Sequence, residues 1–149
     1  SFINMPKNKF FSLAVSFNNT MAQLTRRLRK EAGKQPFSLS EQTTMALLEQ
    51  NKKMLPSELA DLHHISAQAM SQIISRLFSE DCIIKNVDEN DGRKTYISLN
   101  ANGKEKLAEM RAARSLWLAK AIEKTLTEEE IAQLPSVVGL LQKLSMVQI

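Results

Sequence analysis

The sequence predicts a mainly α chain interrupted once by a small β-hairpin. Through most of the 149 residues, apolar side chains recur every three or four positions, the period of a helix with one buried face. That spacing fails at residues 85–100, "KNVDENDGRKTYISLN". There a polar tip, Asp88 to Gly92, separates two short runs of strand-forming residues. Helix stops and caps at Gly33, Ser66, Asn100 and Thr127 divide the remainder. The predicted order is α-α-α-α-β-β-α-α.

The first helix is expected over residues 7–32, with Phe10, Leu13, Phe17, Met21, Leu24 and Leu28 on one stripe. Gly33 is its C-terminal stop, and "RRLRK" at 26–30 complements the negative end of the helix dipole. Pro36 keeps the next segment extended. A second helix is expected from Ser40 to about Gln50, with Met45, Leu47 and Leu48 inward. Pro56, at a first helical position, opens a third, "PSELADLHH". Ser66 caps a fourth, whose inward side is Ala69, Met70, Ile73, Ile74 and Leu77.

Strands are expected at about 83–87 and 94–99, with Gly92 turning the tip through a positive φ. Asn100 caps a long helix, 101 to about 125, with an inner stripe of Leu107, Met110, Ala113, Trp117 and Ala121. Thr127 and Glu130 form a capping box for the last helix, to about Val147, which Pro135 should kink or break. The first, fifth and sixth helices are too apolar to stand alone, and such elements commonly bury themselves in a second subunit.

Composition narrows the class. A net charge of +4 and a pI near 9.3 favour polyanionic partners weakly. The charge is uneven: residues 41–100 carry six basic against nine acidic side chains, whereas residues 1–40 carry seven basic against Glu31 alone. A single cysteine, Cys82, excludes an internal disulfide framework and fits a reducing cytoplasm. No apolar run reaches the roughly twenty residues of a membrane-spanning helix, and no signal peptide is expected at the start. No nucleophile-base order or phosphate-binding glycine loop supports an enzyme, and no cofactor is expected.

The third and fourth helices, with the short turn around His63–Ile65, read as a helix-turn-helix, whose second helix enters the DNA major groove. Pointing away from its apolar stripe are Ser66, Gln68, Ser71, Gln72, Ser75 and Arg76. Nine consecutive residues, Ser66 to Ile74, carry no charge. Gln can pair with adenine, Arg with guanine, and Ser with base or phosphate. A merely solvated face would more often carry Lys and Glu. The hairpin that follows is then a wing, with Arg93 at its tip suited to the minor groove, Asp91 holding the guanidinium and Lys94 taking a phosphate. A protein-interaction module is the alternative, and it should expose apolar residues on the fourth helix instead.

These segments resemble the MarR family of transcriptional regulators over nearly the whole chain. The resemblance is carried by "FSLSEQTTMALLEQ", "LPSELADLHHISAQAMSQIISRLFSEDCIIKN", "DENDGRKTYISLNANGKE" and "LTEEEIAQL". The family's wing pattern is met by Asp91, Arg93, Leu99 and Gly103, with Asn100 where the family has Thr. Asp81-Cys82 replaces the family's Gly-Leu. The resemblance implies a bacterial winged helix-turn-helix regulator acting as a homodimer on double-stranded DNA, with residues 1–35 and 101–149 as dimerisation helices and 36–100 as the DNA-binding lobe. It implies a repressor of a pseudo-palindromic operator, released by a small aromatic or anionic effector. Met21, Met45 and Arg114 are the expected effector contacts, with Arg114 pairing an anionic group.

Two further features read as structural. Glu80 and Asp81 precede Cys82, so a lowered thiol pKa is not expected and a buried thiol is. Adjacent His63 and His64 leave a helix in different directions, so no metal site is expected, but rather one partly buried and one exposed imidazole.

Overall fold

The structure, a computed structural model, describes residues 9–149. These form α1 (Lys9–Glu31), α2 (Leu39–Asn51), α3 (Pro56–His63), α4 (Ala67–Ser79), β1 (Ile83–Val87), β2 (Thr95–Leu99), α5 (Ala101–Thr125) and α6 (Glu128–Met146). The mainly helical order with one hairpin is the predicted one. Residues 7 and 8, the expected first residues of α1, lie outside the described residues. Among the described residues, no helix is long and apolar enough to cross a membrane.

One compact unit spans Ala32–Ala113. Its α2 starts earlier than expected, because Ser38 rather than Ser40 opens it. The Ser38 hydroxyl accepts from the Glu41 amide at 3.2 Å, and the Glu41 carboxylate accepts from the Ser38 amide at 3.4 Å. This capping box serves two donors that a start at Ser40 would leave unpaired. Pro56 opens α3, and His64 closes it in the left-handed region, φ 57°. The His64 amide donates to Asp61 O and the Ile65 amide to Ala60 O, so the end of α3 is hydrogen-bonded into the turn that leads to α4. Ser66 then caps α4 by accepting from the Ala69 amide at 3.1 Å.

The core joins Phe37, Met45, Leu48, Leu59, Met70, Ile74, Leu77, Ile97, Leu107 and Met110 with smaller side chains. Each such side chain contributes about 1.5–3 kcal/mol on burial. Strands β1 and β2 pair antiparallel, Ile83 opposite Leu99 through Val87 opposite Thr95. The free side of β2 takes one further bridge that the sequence did not announce. Met54 and Ile97 exchange both backbone hydrogen bonds, at 2.9 and 2.8 Å, tying the α2–α3 connection to the hairpin.

The unit extends to Ala113 because the first half of α5 completes its core. The Asn100 side chain accepts from the Gly103 amide at 2.7 Å and donates to Asp81 O at 2.8 Å. Gly103 lies so close to the end of the α4–β1 turn that a Cβ there would sit 2.2 Å from the Cys82 carbonyl oxygen. Asp81 turns that corner at φ 55°, in the place where the resembled family carries Gly.

The second unit comprises the described residues through Glu31 with Arg114–Ile149. Neither α1 nor α6 contains a buried residue. Phe10, Leu13, Leu116, Leu140, Leu144 and Met146 are all exposed. Arg27 pairs with Glu31 at 2.8 Å and lies over Trp117 at 5.6 Å. Thr127 and Glu130 form the expected capping box. Pro135, expected to kink or break α6, does not end it: the helix runs on to Met146. The ring removes the donor for the Ile131 carbonyl, at a cost of about 3 kcal/mol. Both residues are exposed, so the loss faces solvent rather than a closed core.

Gly103→Ala should therefore lower stability despite the better helix propensity of Ala. The propensity gain is about 1 kcal/mol, and a Cβ forced against a backbone carbonyl costs more, with a net loss of about 1–3 kcal/mol. Thermal unfolding measures it, and an unchanged or raised midpoint would deny the close approach of α5 to Cys82.

Candidate nucleic-acid interface

The fourth helix presents two faces set by its sequence. Met70, Ile74 and Leu77 are buried, and Ala69 and Ile73 are half-buried beside them. The opposite side carries Ser66, Gln68, Ser71, Gln72 and Ser75, all exposed and all uncharged. Apolar burial on one side therefore holds a row of short hydrogen-bonding groups outward on the other. Ser66 spends its hydroxyl on the helix cap. The exposed apolar surface a protein-docking helix would need is absent from this row; Phe78, at the helix end, is exposed but stacks under Lys85 at 4.5 Å.

Arg76 is placed differently from its sequence neighbours. Its guanidinium donates to Pro36 O at 3.3 Å. It also pairs with Glu80 at 3.5 Å and with Glu41 at 3.9 Å, and it lies over the Phe37 ring at 5.9 Å. The side chain is thus drawn back against the start of α2. A shallow depression beside it is lined by Ser38, Ser40, Glu41, Gln72 and Arg76.

The wing tip is built by two aspartates. Asp88 Oδ1 accepts from the Asn90 amide at 2.7 Å and the Asp91 amide at 3.1 Å. Those amides hold the Asp88 carboxyl below its ordinary value, with Lys94 and Lys53 adding to the effect. The Asp88 amide donates to Lys94 O, and the Lys94 amide to Asp91 O, closing the turn. Gly92 does not adopt the positive φ expected of it; Gly33, at 78°, is the one described glycine that does. The aspartate-capped turn makes that conformation unnecessary. Asp91 Oδ1 accepts from both the Arg93 amide, at 3.1 Å, and Arg93 Nε, at 3.2 Å. Arg93 is aimed by this contact while its side chain stays 92% exposed. Lys94 is exposed beside it.

The other expected residues divide between the two units. Met45 is fully buried in the core of the Ala32–Ala113 unit, whereas Met21, exposed, and Arg114, half-buried, belong to the other unit. His63 is half-buried and donates from Nε2 to Ser40 O at 3.2 Å, and His64 is exposed. Among the described residues, no group of three or more His, Cys, Asp or Glu is arranged to hold a metal ion. Sequence reasoning missed Glu41, Lys53 and the bridge from Met54, itself an expected core residue, to Ile97. Lys53 lies 4.6 Å over Tyr96 at the base of the wing. Of these only Glu41 left a readable signal, the Ser-x-x-Glu of its capping box.

A helix-turn-helix with a polar second helix, followed by a hairpin carrying an exposed Arg at its tip, defines a winged-helix DNA-binding regulator of transcription. The sequence comparisons agree and give the family. The model of the transcriptional regulator SarA/Rot family matches residues 27–110, and the chain belongs to that family. It is 28% identical over 110 residues to an HTH-type transcriptional regulator of Mycobacterium bovis, spanning 74% of this chain and 77% of that one. A crystal structure of a transcriptional regulator protein from Pseudomonas aeruginosa superposes with a TM-score of 0.82 at 28% identity, covering 95% of this chain and all of the other. A MarR family protein from Bacillus stearothermophilus shares the fold, with a TM-score of 0.72 at 18% identity over 95% and 99% of the two chains. The family and these relatives are regulators of transcription, not enzymes.

The Cys82 thiol, fully buried, is pushed up from its ordinary pKa by burial; Lys106 opposes the shift, and Glu80 and Asp81 add to it. A raised pKa leaves less thiolate at neutral pH. Cys82 should therefore resist alkylation in the native protein and label fully once denatured. Rapid native labelling would contradict the burial.

Proposed function

We propose that the chain works as a homodimeric repressor, each winged-helix lobe reading one half of a pseudo-palindromic operator. The observation that carries this reading is the exposed, charge-free row on α4 beside a wing whose Arg93 is held outward by Asp91. Gln68 and Gln72 would meet base edges, Ser71 and Ser75 bases or phosphates, and Ser66 would bring the positive start of α4 near a phosphate. Arg93 would enter the flanking minor groove and Lys94 would take a phosphate. A row without carboxylates can approach DNA without repelling it, and its lack of apolar side chains weighs against a protein partner there.

The dimer is supported by the second unit. A unit whose α1 and α6 bury nothing, and which exposes Phe10 and Leu13 by about two thirds, leaves more apolar surface open than a monomer usually tolerates. A second copy covering the same helices would remove it. Half-sites would then lie about one helical turn, roughly 10 bp, apart. Bound across a promoter, such a dimer excludes the transcription machinery, and a small aromatic or anionic effector that favours another spacing of the lobes would release it. Arg114 and Met21 are the contacts proposed for that effector; Met45, sealed in the lobe core, would be reached only if that core opened.

Selection of the purified protein against random duplex DNA at two salt concentrations tests the reading. It should enrich a pseudo-palindrome with half-sites one turn apart. Weak, steeply salt-dependent binding without enrichment would remove base readout by α4. On the selected operator, Arg93→Ala should weaken binding by about 1–3 kcal/mol and flatten the preference for A·T flanks. Gln68→Ala should relax one base pair per half-site; uniform weakening across all sequences would place Gln68 outside the readout.

A further inference from the structure

Arg76 is the only charged residue of α4, and guanine is the base an arginine on such a helix reads. Its side chain, 48% exposed, already has several partners within the protein, of which the exposed Glu80 is the weakest hold and the nearly buried Glu41 the firmest. Pro36 O accepts from it at 3.3 Å, and Glu80 and Glu41 flank it at 3.5 and 3.9 Å. The Phe37 ring lies beneath it at 5.9 Å. Glu41 makes the commitment costly to undo. Its residue is only 8% exposed, and its second carboxylate oxygen caps the start of α2 through the Ser38 amide. A carboxylate so nearly buried needs a cation beside it, and Arg76 is the cation the structure gives it. Pulling Arg76 toward DNA would leave Glu41 uncompensated and would remove a polar tie between α4 and the start of α2.

We infer that Arg76 is a positioning residue, which anchors α4 to the N-terminus of α2 and is withheld from the bases by Glu41 and Glu80. This inference rests on the reading of α4 as the base-contacting helix. Two consequences separate it from ordinary structural support. The half-site should be read by Gln68, Ser71, Gln72 and Ser75 without an arginine-guanine contact. Glu41 and Glu80, which touch no base, should then determine specificity by keeping the helix's one cation away from the groove.

The test compares four proteins in the same random-duplex selection: the wild type, R76A, E41Q/E80Q and E41Q/E80Q/R76A. Glu41→Gln removes the charge but keeps the capping box, because Gln serves at that position. Thermal unfolding of each precedes the selection, and E41Q alone carries the comparison if the double variant does not fold. R76A should be less stable than the wild type yet enrich the same consensus, with an unchanged dependence of binding on salt. E41Q/E80Q should gain a preference for guanine at one position per half-site, roughly tenfold, and a salt dependence steeper by about one unit. Both gains should vanish in E41Q/E80Q/R76A. A consensus in R76A that loses a guanine, or a salt dependence shallower by about one unit, would mean that Arg76 already reads DNA and would overturn the inference. So would an E41Q/E80Q consensus identical to that of the wild type. If the wild type itself enriches nothing, base readout by α4 falls and the inference falls with it. Enrichment by the wild type with no change in the variants removes the inference alone.

Discussion

The carbonyl of Cys82 accepts a hydrogen bond from the Asn100 amide at 3.1 Å, and Gly103 of α5 is pressed against the same oxygen. At this point α4 has just ended, β1 begins, β2 ends and α5 starts. Asn100 closes the knot by accepting from the Gly103 amide while donating to Asp81 O. Asn102 adds a second bond to Asp81 O at 2.9 Å. These few atoms help to set the angle between α4 and the wing, and so the placement of Arg93 relative to Gln68. A wing that pivoted here would carry Arg93 out of any fixed groove.

A second tie runs through the other side of the hairpin. Antiparallel strands expose their backbone groups alternately to either neighbour. Asp88 and Asn100 bond across the hairpin to Lys94 and Cys82, so residues of the opposite parity on β2 face away. Ile97 is one of them, and Met54 takes both of its groups. The loop that feeds α3 is thereby bound to the same sheet that carries the wing. Arg111 of α5 pairs with Glu49 of α2 across the lobe; as an exposed pair it contributes little to stability. Buried apolar contact among α2, α3, α4 and the hairpin carries the energy, and the polar ties set direction.

The helices were legible because their apolar spacing and caps are local signals. Ser66, Asn100 and Thr127 mark starts that need nothing beyond the next turn, and the structure places α4, α5 and α6 on them. The outward row of α4 was legible for the same reason, since Met70, Ile74 and Leu77 fix which side is buried. The misjudged features involve choices between local signals or distant partners. Ser38 and Ser40 compete two residues apart, and only the return bond from Glu41 decides between them. Gly92 suggested a glycine-dependent turn, but two aspartates built it without one. Met54 and the cluster around Arg76 depend on residues forty or so positions away, at Ile97 and Pro36, which no periodicity reveals.

The acidic balance of residues 41–100 looks unsuited to a DNA-binding lobe until its cations are located. Arg76 is turned toward Glu41 and Glu80, Lys85 lies on Phe78, and Lys53 lies on Tyr96. Arg93 and Lys94 place exposed positive charge at the wing tip, and Lys52, Lys53 and Lys85 are exposed elsewhere on the lobe. Phosphate contacts supply most sequence-independent affinity, each adding to its salt dependence. A lobe with few of them binds random DNA weakly and loses little affinity to the many competing sites of a chromosome. On the proposed reading, its preference for an operator would come from hydrogen bonds that a wrong base leaves unpaired, each worth about 1–3 kcal/mol. Sparse charge is in this sense a route to discrimination. It also makes the pose of α4 decisive, because short serine and glutamine side chains cannot reach to correct a displaced helix.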